Sequence, residues 1–470
     1  MLRLKRKKLI LMNNLTSKTK LGTLAIAMMS VAGIFTLRTL PLMSEYGLAA
    51  IFYYIVIALV FFIPSALTCA ELATGWPKTG GLYVWVREAF GPRIGFLAIW
   101  LEWINTVISF PATLAFITAT VAYAIEPTLA SNKYYMLSIM LILFWGATLV
   151  NFLGIKFSSW LSNIGLILGT IFPCLLIISL AIGWIFAGKP IQMDLSTTAL
   201  IPDFGFTKSA FIVGLILGYS GMQISAFHAQ EVDNPQKNFP RAMFIAVVAI
   251  LFLSVFGSLA ISLVVPHQKI GLVTGLMQAA VTFFTAFHMK WFIPVIAILT
   301  AVGTFAMLNL WVIGPCKGLL ATARYGDLPK FMQRTNKHGA PTTLLLLQAI
   351  VGSAFSLIYL CMPTINSSYW ILIALTSILT VLMCSLIFAS VIKLRYTKPE
   401  TPRAYKIPGG KFGVWIIAGA GITVCALAFF LGFMPPSQLH NGNIFFYESF
   451  LIGGVIIFTG IPLLKSFKST

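Results

Sequence analysis

The sequence predicts an all-α polytopic membrane protein with 12 transmembrane helices. Three observations carry that reading. Of 470 residues, 59% are hydrophobic and only 9% charged, against about 25% charged in ordinary soluble domains, so most of the exterior must face lipid. Mean hydropathy is +0.92. The apolar residues fall into 12 runs, each near or above the ~20 residues that cross a bilayer as a helix, with no alternating pattern of barrel strands.

In order, the runs are 21–43, 48–70, 93–125, 134–155, 158–187, 209–230, 242–266, 291–315, 342–362, 369–394, 412–434 and 447–466. The third and fifth are long enough to tilt or to extend beyond the bilayer. Between the runs the basic residues are unevenly placed. The N-terminal segment, the even-numbered connections and the tail hold 26 of the 32 Lys and Arg, and the opposite face holds five: Lys133, Lys189, Lys208, Lys269 and Lys290. Short basic loops stay in the cytoplasm, so both termini are expected there. The net charge of +20 is therefore a topology signal, and no nucleic-acid partner is expected. The basic start "RLKRKK" reads as an orientation signal or a contact with anionic membrane lipid. "MLRLKRKKLIL" reads as the true start or as an extension upstream of Met12. The first run is longer than the apolar region of a signal peptide, and "TLPLMSEYGLA" lacks a small-residue cleavage pattern.

Several chemistries are disfavoured. The six cysteines, Cys69, Cys174, Cys316, Cys361, Cys384 and Cys425, lie within or at the ends of apolar runs without CxxC spacing; they read as small core residues. The five histidines are scattered, which gives no metal constellation. No G-x-x-x-x-G-K-[ST] loop is present for ATP-driven work. With no sizeable soluble domain, neither an enzyme nor a cofactor is expected. A channel would carry a filter or pore-lining rings, and a sensor would usually bring a soluble signalling domain; neither is visible.

Two runs are interrupted. The first reads "MMSVAGIFTLRTLPLM", with Gly33 near its middle between Ser30 and Thr36, and Arg38 beyond. The sixth reads "GLILGYSGMQISAFHAQ", with Gly218 and Gly221 near its middle. Runs one and six lie an odd number apart and cross in opposite directions. Matching breaks in oppositely oriented halves point to an inverted-repeat transporter. Glycine in such helices also serves close packing. A break leaves N–H and C=O groups that lipid cannot satisfy. Half-helix N-termini suit a carboxylate and unwound carbonyls an ammonium, the two features of an amino acid.

Four stretches, "ELATGWPKTGGLYVWVREAFGPRIGF" (71–96), "GYSGMQISAFHAQEVDNPQKNFPRA" (218–242), "WVIGPCKGLLATARYGDLPKFMQRTNKHGAPTT" (311–343) and "RAYKIPGG" (403–410), make the chain resemble the amino acid–polyamine–organocation (APC) superfamily. Within it the resemblance is to the glutamate:GABA antiporter branch. The resemblance implies a LeuT-type 5+5 inverted repeat with broken helices 1 and 6, plus helices 11 and 12. The expected organisation is a basic cytoplasmic segment 1–20, a first repeat 21–187, an extracytoplasmic connector 188–208 and a second repeat 209–394. A loop with two further helices (395–466) and a tail (467–470) follow. The expected location is the inner (plasma) membrane, the expected partner a small-molecule amino acid, and the mechanism exchange by alternating access. Rivals are proton- or sodium-coupled import of neutral amino acids and a polyamine carrier, the latter disfavoured because the cavity helices carry no cluster of carboxylates.

By position, the resemblance implies that the backbone around Ser30, Ala32 and Gly33 meets the substrate carboxylate. The backbone from Gly218 to Gly221, with Tyr219, is implied to cradle the amino group and help form a gate. Trp311 matches an aromatic position near the cavity; packing or an interfacial role is its other reading. Many relatives carry Glu where this chain has Gln223, and Gln cannot titrate, so proton coupling through that position is not expected. Arg38, a mid-membrane charge costing about 2.5–3.5 kcal/mol on the insertion scale, either holds a side-chain carboxylate of an acidic substrate or pairs with Glu102. Glu71 caps a turn or binds a basic residue of a neighbouring loop, or touches substrate. His228 is a pH-sensitive gate element or a hydrogen-bonded interior histidine. Glu231 and Asp233 belong to a cytoplasmic loop. The few residues after the last run are too short for the polar C-terminal plug of the acid-resistance antiporters.

Overall fold

In the computed structural model of the chain, residues 22–78, 80–152, 165–202, 205, 210–223, 234–436 and 444–464 are described. The expected basic segment 1–20, the tail 467–470, Lys156, Lys208, His228, Glu231 and Asp233 lie outside them. The described residues are helical with no strand, as lipid demands of a chain whose backbone bonds must close within each segment.

The first expected span is a bent pair, α1 (Thr23–Ile34) and, after a 3-10 turn at Leu37–Thr39, α2 (Leu40–Ser44), with a bend of 42° between the halves. The second span runs through α3 (Ala49–Ile57), a π turn and α4 (Ile63–Gly75). Next come α5 (Leu82–Phe90), α6 (Pro92–Ile125), α7 (Lys133–Phe152) and α8 (Phe172–Phe186), the last preceded by a π turn at Ile167–Ile171. Then α9 (Ile212–Tyr219), α10 (Pro235–Val264), α11 (Gly275–Ala286) and α12 (Ile293–Ala321) follow. The ninth span is α13 (Thr342–Ser356) with α14 (Ile358–Cys361), and the chain ends in α15 (Ile365–Thr397), α16 (Gly410–Gly432) and α17 (Ile444–Leu464). Among the described residues ten helices are long and apolar enough to cross a membrane, and the bent pair makes 11. The sixth expected span is described only over α9 and as far as Gln223, so the described residues account for 11 of the 12 expected spans.

Burial ranks the helices. The most apolar window of α15 is 83% buried and that of α6 is 67%, whereas that of α17 is 11%. Thus α6 and α15 form the centre, and α17 presents its apolar side chains outward. Against α6 packs α12. The π turn before α8 crosses α12 so tightly that a Cβ on Gly169 would stand 2.2 Å from the Gly303 Cα. Only glycine fits on both sides of that crossing.

Two short helices carry no membrane-length signal in the sequence. On α5, Tyr83 donates to Asp327, Arg87 donates to the Tyr83 hydroxyl, and the Arg87 guanidinium lies 4.3 Å from the centre of the Tyr325 ring. These contacts tie α5 to the segment following α12. The 12-residue apolar α11 packs on α10 and α8.

Glu71, fully buried on α4, binds basic residues, close to the second of its expected roles: Arg395 from the last turn of α15 and Arg403 from the loop that follows. Arg395 grips it bidentately (Nε to Oε1 2.5 Å, Nη2 to Oε2 2.6 Å), the Ile407 N–H donates at 2.8 Å, and Arg403 Nε lies 3.5 Å away. The Arg403 side chain covers the Trp76 ring and donates to the carbonyls of Leu394 and Lys398. A paired, hydrogen-bonded buried charge is tolerated, but removing one partner of such a pair costs about 3–5 kcal/mol. The stretch 403–410 is thereby fastened over the end of α4.

In the turn between α2 and α3, burial pushes the Glu45 carboxyl from 4.5 up to about 8. An acid whose folded value is raised binds more protons folded than unfolded, so stability falls as pH rises from about 4.5 to about 8. Glu45→Gln removes this loss. Its thermal midpoint is expected to exceed that of the unaltered protein by a margin that is small at pH 5 and grows to pH 8; a constant margin would refute the assignment.

Candidate functional site

The break in the first span falls later than the glycine suggests. α1 stays bonded through the Phe35 N–H to the Val31 carbonyl at 2.8 Å, so Gly33 is still helical. Phe35 (ψ 124°) and Thr36 (ψ 133°) are extended, and the Thr36 hydroxyl accepts from the Arg38 N–H, starting the new helix as a capping residue does. The expected break at Gly33 is corrected to Phe35–Thr36. The last carbonyls of α1 then lack intrahelical donors. The second half is fastened to α10: Ser258 Oγ donates to the Leu40 carbonyl (3.1 Å), Ser44 Oγ to the Ser258 carbonyl (3.0 Å) and Ser262 Oγ to the Ser44 carbonyl (2.7 Å).

The second break falls where expected. α9 ends at Tyr219, Ser220 is extended, and Gly221 takes φ +117° before helix resumes at Met222. Few L-residues adopt that φ. A Cβ at Gly221 would sit 3.4 Å from the Gly33 carbonyl oxygen and 3.9 Å from Trp311 Cη2. The two breaks therefore face each other across a few ångströms, with Trp311 beside them.

A cavity of about 120 Å³ opens at this meeting. Ala32, Gly33, Arg38, Gly218, Gly221, Gln223 and Trp311 line it, together with residues of α6, α12 and α15. Two expected site residues lie elsewhere. Ser30 sits within α1, its hydroxyl donating to the Ile26 carbonyl at 3.0 Å. The Tyr219 side chain turns away and stacks on Phe62, centroids 4.5 Å apart and rings inclined 12°. Its buried hydroxyl has no hydrogen-bond partner, and it borders a smaller pocket with Tyr54, Thr39 and Ser254.

The expected alternative of an Arg38–Glu102 pair is not formed. Among the described residues neither takes part in an ion pair. Arg38 accepts the Tyr369 hydroxyl on its carbonyl (3.1 Å), and its buried Nη1 has no partner. Glu102 instead accepts from Gln223 Nε2, 3.3 Å from both carboxylate oxygens. Thr39, next to Arg38, borders Gly218, where a Cβ would stand 3.6 Å from Thr39 Cγ2, whereas Glu102 meets Gln223 further along the sixth span. The two charges therefore border different stretches of the same cavity. Glu102 of α6 thus places a carboxylate against the side chain at position 223.

Residue-by-residue motif reading missed the polar stripe of α6. Glu102, Asn105, Thr106, Ser109 and Thr113 all line the cavity, at i, i+3, i+4, i+7 and i+11, the spacing of one helix face. In an apolar span that periodicity is legible from the sequence. Thr376 and Thr380 of α15 and Thr304, Leu308 and Trp311 of α12 follow the same rule.

Gly221→Ala has room for its methyl but not for its φ, a strain of order 1–3 kcal/mol. If the facing breaks are where a solute binds, uptake by this variant is expected to fall by tenfold or more while the purified protein keeps its elution volume. Full uptake would contradict the site.

With the geometry in view, comparison with known proteins gives a consistent answer. A family model described as amino acid permease matches residues 21–457. An uncharacterized transporter of Legionella pneumophila is 45% identical, over 96% of this chain and 97% of its own length. A glutamate/gamma-aminobutyrate antiporter of Lactococcus lactis is 29% identical, over 95% and 90%. The large neutral amino acids transporter small subunit 2 of Homo sapiens is 28% identical, over 73% and 63%. These relatives are transporters rather than enzymes. The chain belongs to the amino acid permease family of the APC superfamily, and is an integral membrane protein.

Proposed function

We propose that this permease is an antiporter for amino acids of the glutamate/4-aminobutyrate type. It would work by alternating access between two inverted five-span halves, residues 21–187 and 209–394, with 395–466 appended. One observation carries the reading: two helix breaks meet at a cavity that Arg38 also lines. The ends of α1 and α9 bring carbonyls with the partial negative charge of helix C-termini, suited to an ammonium group. The start of Leu37–Ser44 brings N–H donors suited to a carboxylate. Arg38, with a free Nη1, suits a second carboxylate bidentately.

In this reading the backbones of Ala32, Gly33, Gly218 and Gly221 and the side chains of Arg38, Gln223 and Trp311 contact the substrate. Ser30 and Tyr219 act by holding α1 and α9. The charge asymmetry of the loops supports an orientation with both termini in the cytoplasm, in the inner (plasma) membrane. The name of the Lactococcus lactis relative supports the substrate type. The human relative supports a second reading, uptake of neutral amino acids.

Proteoliposomes loaded with single amino acids separate the two. Labelled glutamate is expected to enter only when an exchangeable amino acid is inside, with no response to a pH or sodium gradient. Arg38→Ala is expected to lower the preference for glutamate over leucine by about tenfold, in line with loss of a charged hydrogen bond. Gradient-driven entry into empty vesicles, or a preference unchanged in Arg38→Ala, would contradict the proposal.

A further inference from the structure

Glu102 differs from the other buried carboxylates in how it is compensated. Among the described residues the other two are Glu71, held by Arg395, and Asp327, which faces Arg87. Glu102 is 4% exposed, lies about a third of the way along α6 and lines the cavity, yet no Lys or Arg of the described residues pairs with it. Among the described residues its two oxygens accept from Gln223 Nε2, at 3.3 Å each, and the carboxylate also meets the Asn105 side chain. A carboxylate has about four lone-pair sites, so acceptor capacity is left over on a wall of the cavity. An uncompensated buried carboxylate is costly, and a cationic donor arriving through the cavity removes that cost. Arg38, the cation that also lines the cavity, forms no ion pair with it.

We propose that Glu102, oriented by Gln223, is a specificity-determining acceptor for a substrate ammonium group remote from the substrate's carboxylate. The cavity would then select ω-ammonium carboxylates, with the ammonium at Glu102 and the carboxylate toward Arg38. This rests on the assignment of the cavity as the substrate site. It adds that two stretches of the cavity read opposite charges on one molecule. Gln223 has the positioning part: its amide donates to both oxygens and holds the carboxylate against α6, without itself carrying a charge to repel the ammonium.

The test compares 4-aminobutyrate with 4-hydroxybutyrate, which keeps the length and the carboxylate but replaces the ammonium with a neutral hydroxyl. Binding of each is measured by calorimetry on the purified full chain in nanodiscs. The unaltered protein is expected to bind the amine at least about tenfold tighter than the alcohol, because charge-assisted hydrogen bonds are roughly twice as strong as neutral ones. In Glu102→Gln the ratio is expected to fall below about threefold, chiefly through weaker amine binding. Glu102→Asp, which keeps the charge, is expected to retain most of the ratio, and so separates loss of charge from loss of fold. A ratio near one in the unaltered protein, a ratio unchanged in Glu102→Gln, or equal loss in the Gln and Asp variants would overturn the proposal. Failure of the antiporter reading is seen separately, as absence of exchange in loaded vesicles by the unaltered protein.

Discussion

Inside a bilayer an open backbone group has no water to turn to, and the architecture is arranged around two places where the backbone opens. At Phe35–Thr36 and Ser220–Gly221 the helices stop and restart. The two openings are set against each other, with the Gly33 carbonyl a van der Waals contact away from the Gly221 position. Leaving such groups unsatisfied costs several kcal/mol each in hydrocarbon. They persist because they border a polar cavity enclosed by the most buried helices, α6 and α15.

The surrounding structure keeps these openings in place. Three serine hydroxyls bind α2 to α10, so the second half of the broken first span is fixed by polar bonds as well as by packing. The Gly169–Gly303 crossing brings the π turn before α8 hard against α12, which sets Thr170 and Thr304 on the cavity wall. At the basic-loop end, the Glu71–Arg395–Arg403 cluster and the Tyr83–Asp327–Arg87 cluster fasten loops to helix ends. Charges there are paired within the protein. Inside the cavity neither Arg38 nor Glu102 forms an ion pair with another described residue.

Much of this was legible in the sequence, and the misses have physical causes. Hydropathy length located the spans because a membrane helix must be ~20 residues long. It was silent on α5 and α11, which are too short to cross and are fixed by tertiary contacts. Gly33 drew attention to the first break, yet glycine survives inside a helix; Thr36, an extended residue capping the helix that follows, ends one segment and starts the next. Gly221 was located correctly because its positive φ needs glycine. The stripe from Glu102 to Thr113 went unread, since α6 was weighed for length and not for the period of its polar residues. No one-dimensional pattern could bring Gln223 to Glu102, which are joined across the cavity from different spans.

The central claim is that substrate sits between the two breaks. The most direct measurement is a cryo-electron microscopy map of the protein in nanodiscs with saturating glutamate or 4-aminobutyrate, compared with a map recorded without it. The account expects added density between the backbones of Ala32–Gly33 and Gly218–Gly221, extending toward Arg38 or Glu102. Ligand density elsewhere, with the space between the breaks closed by side chains in both maps, would contradict it.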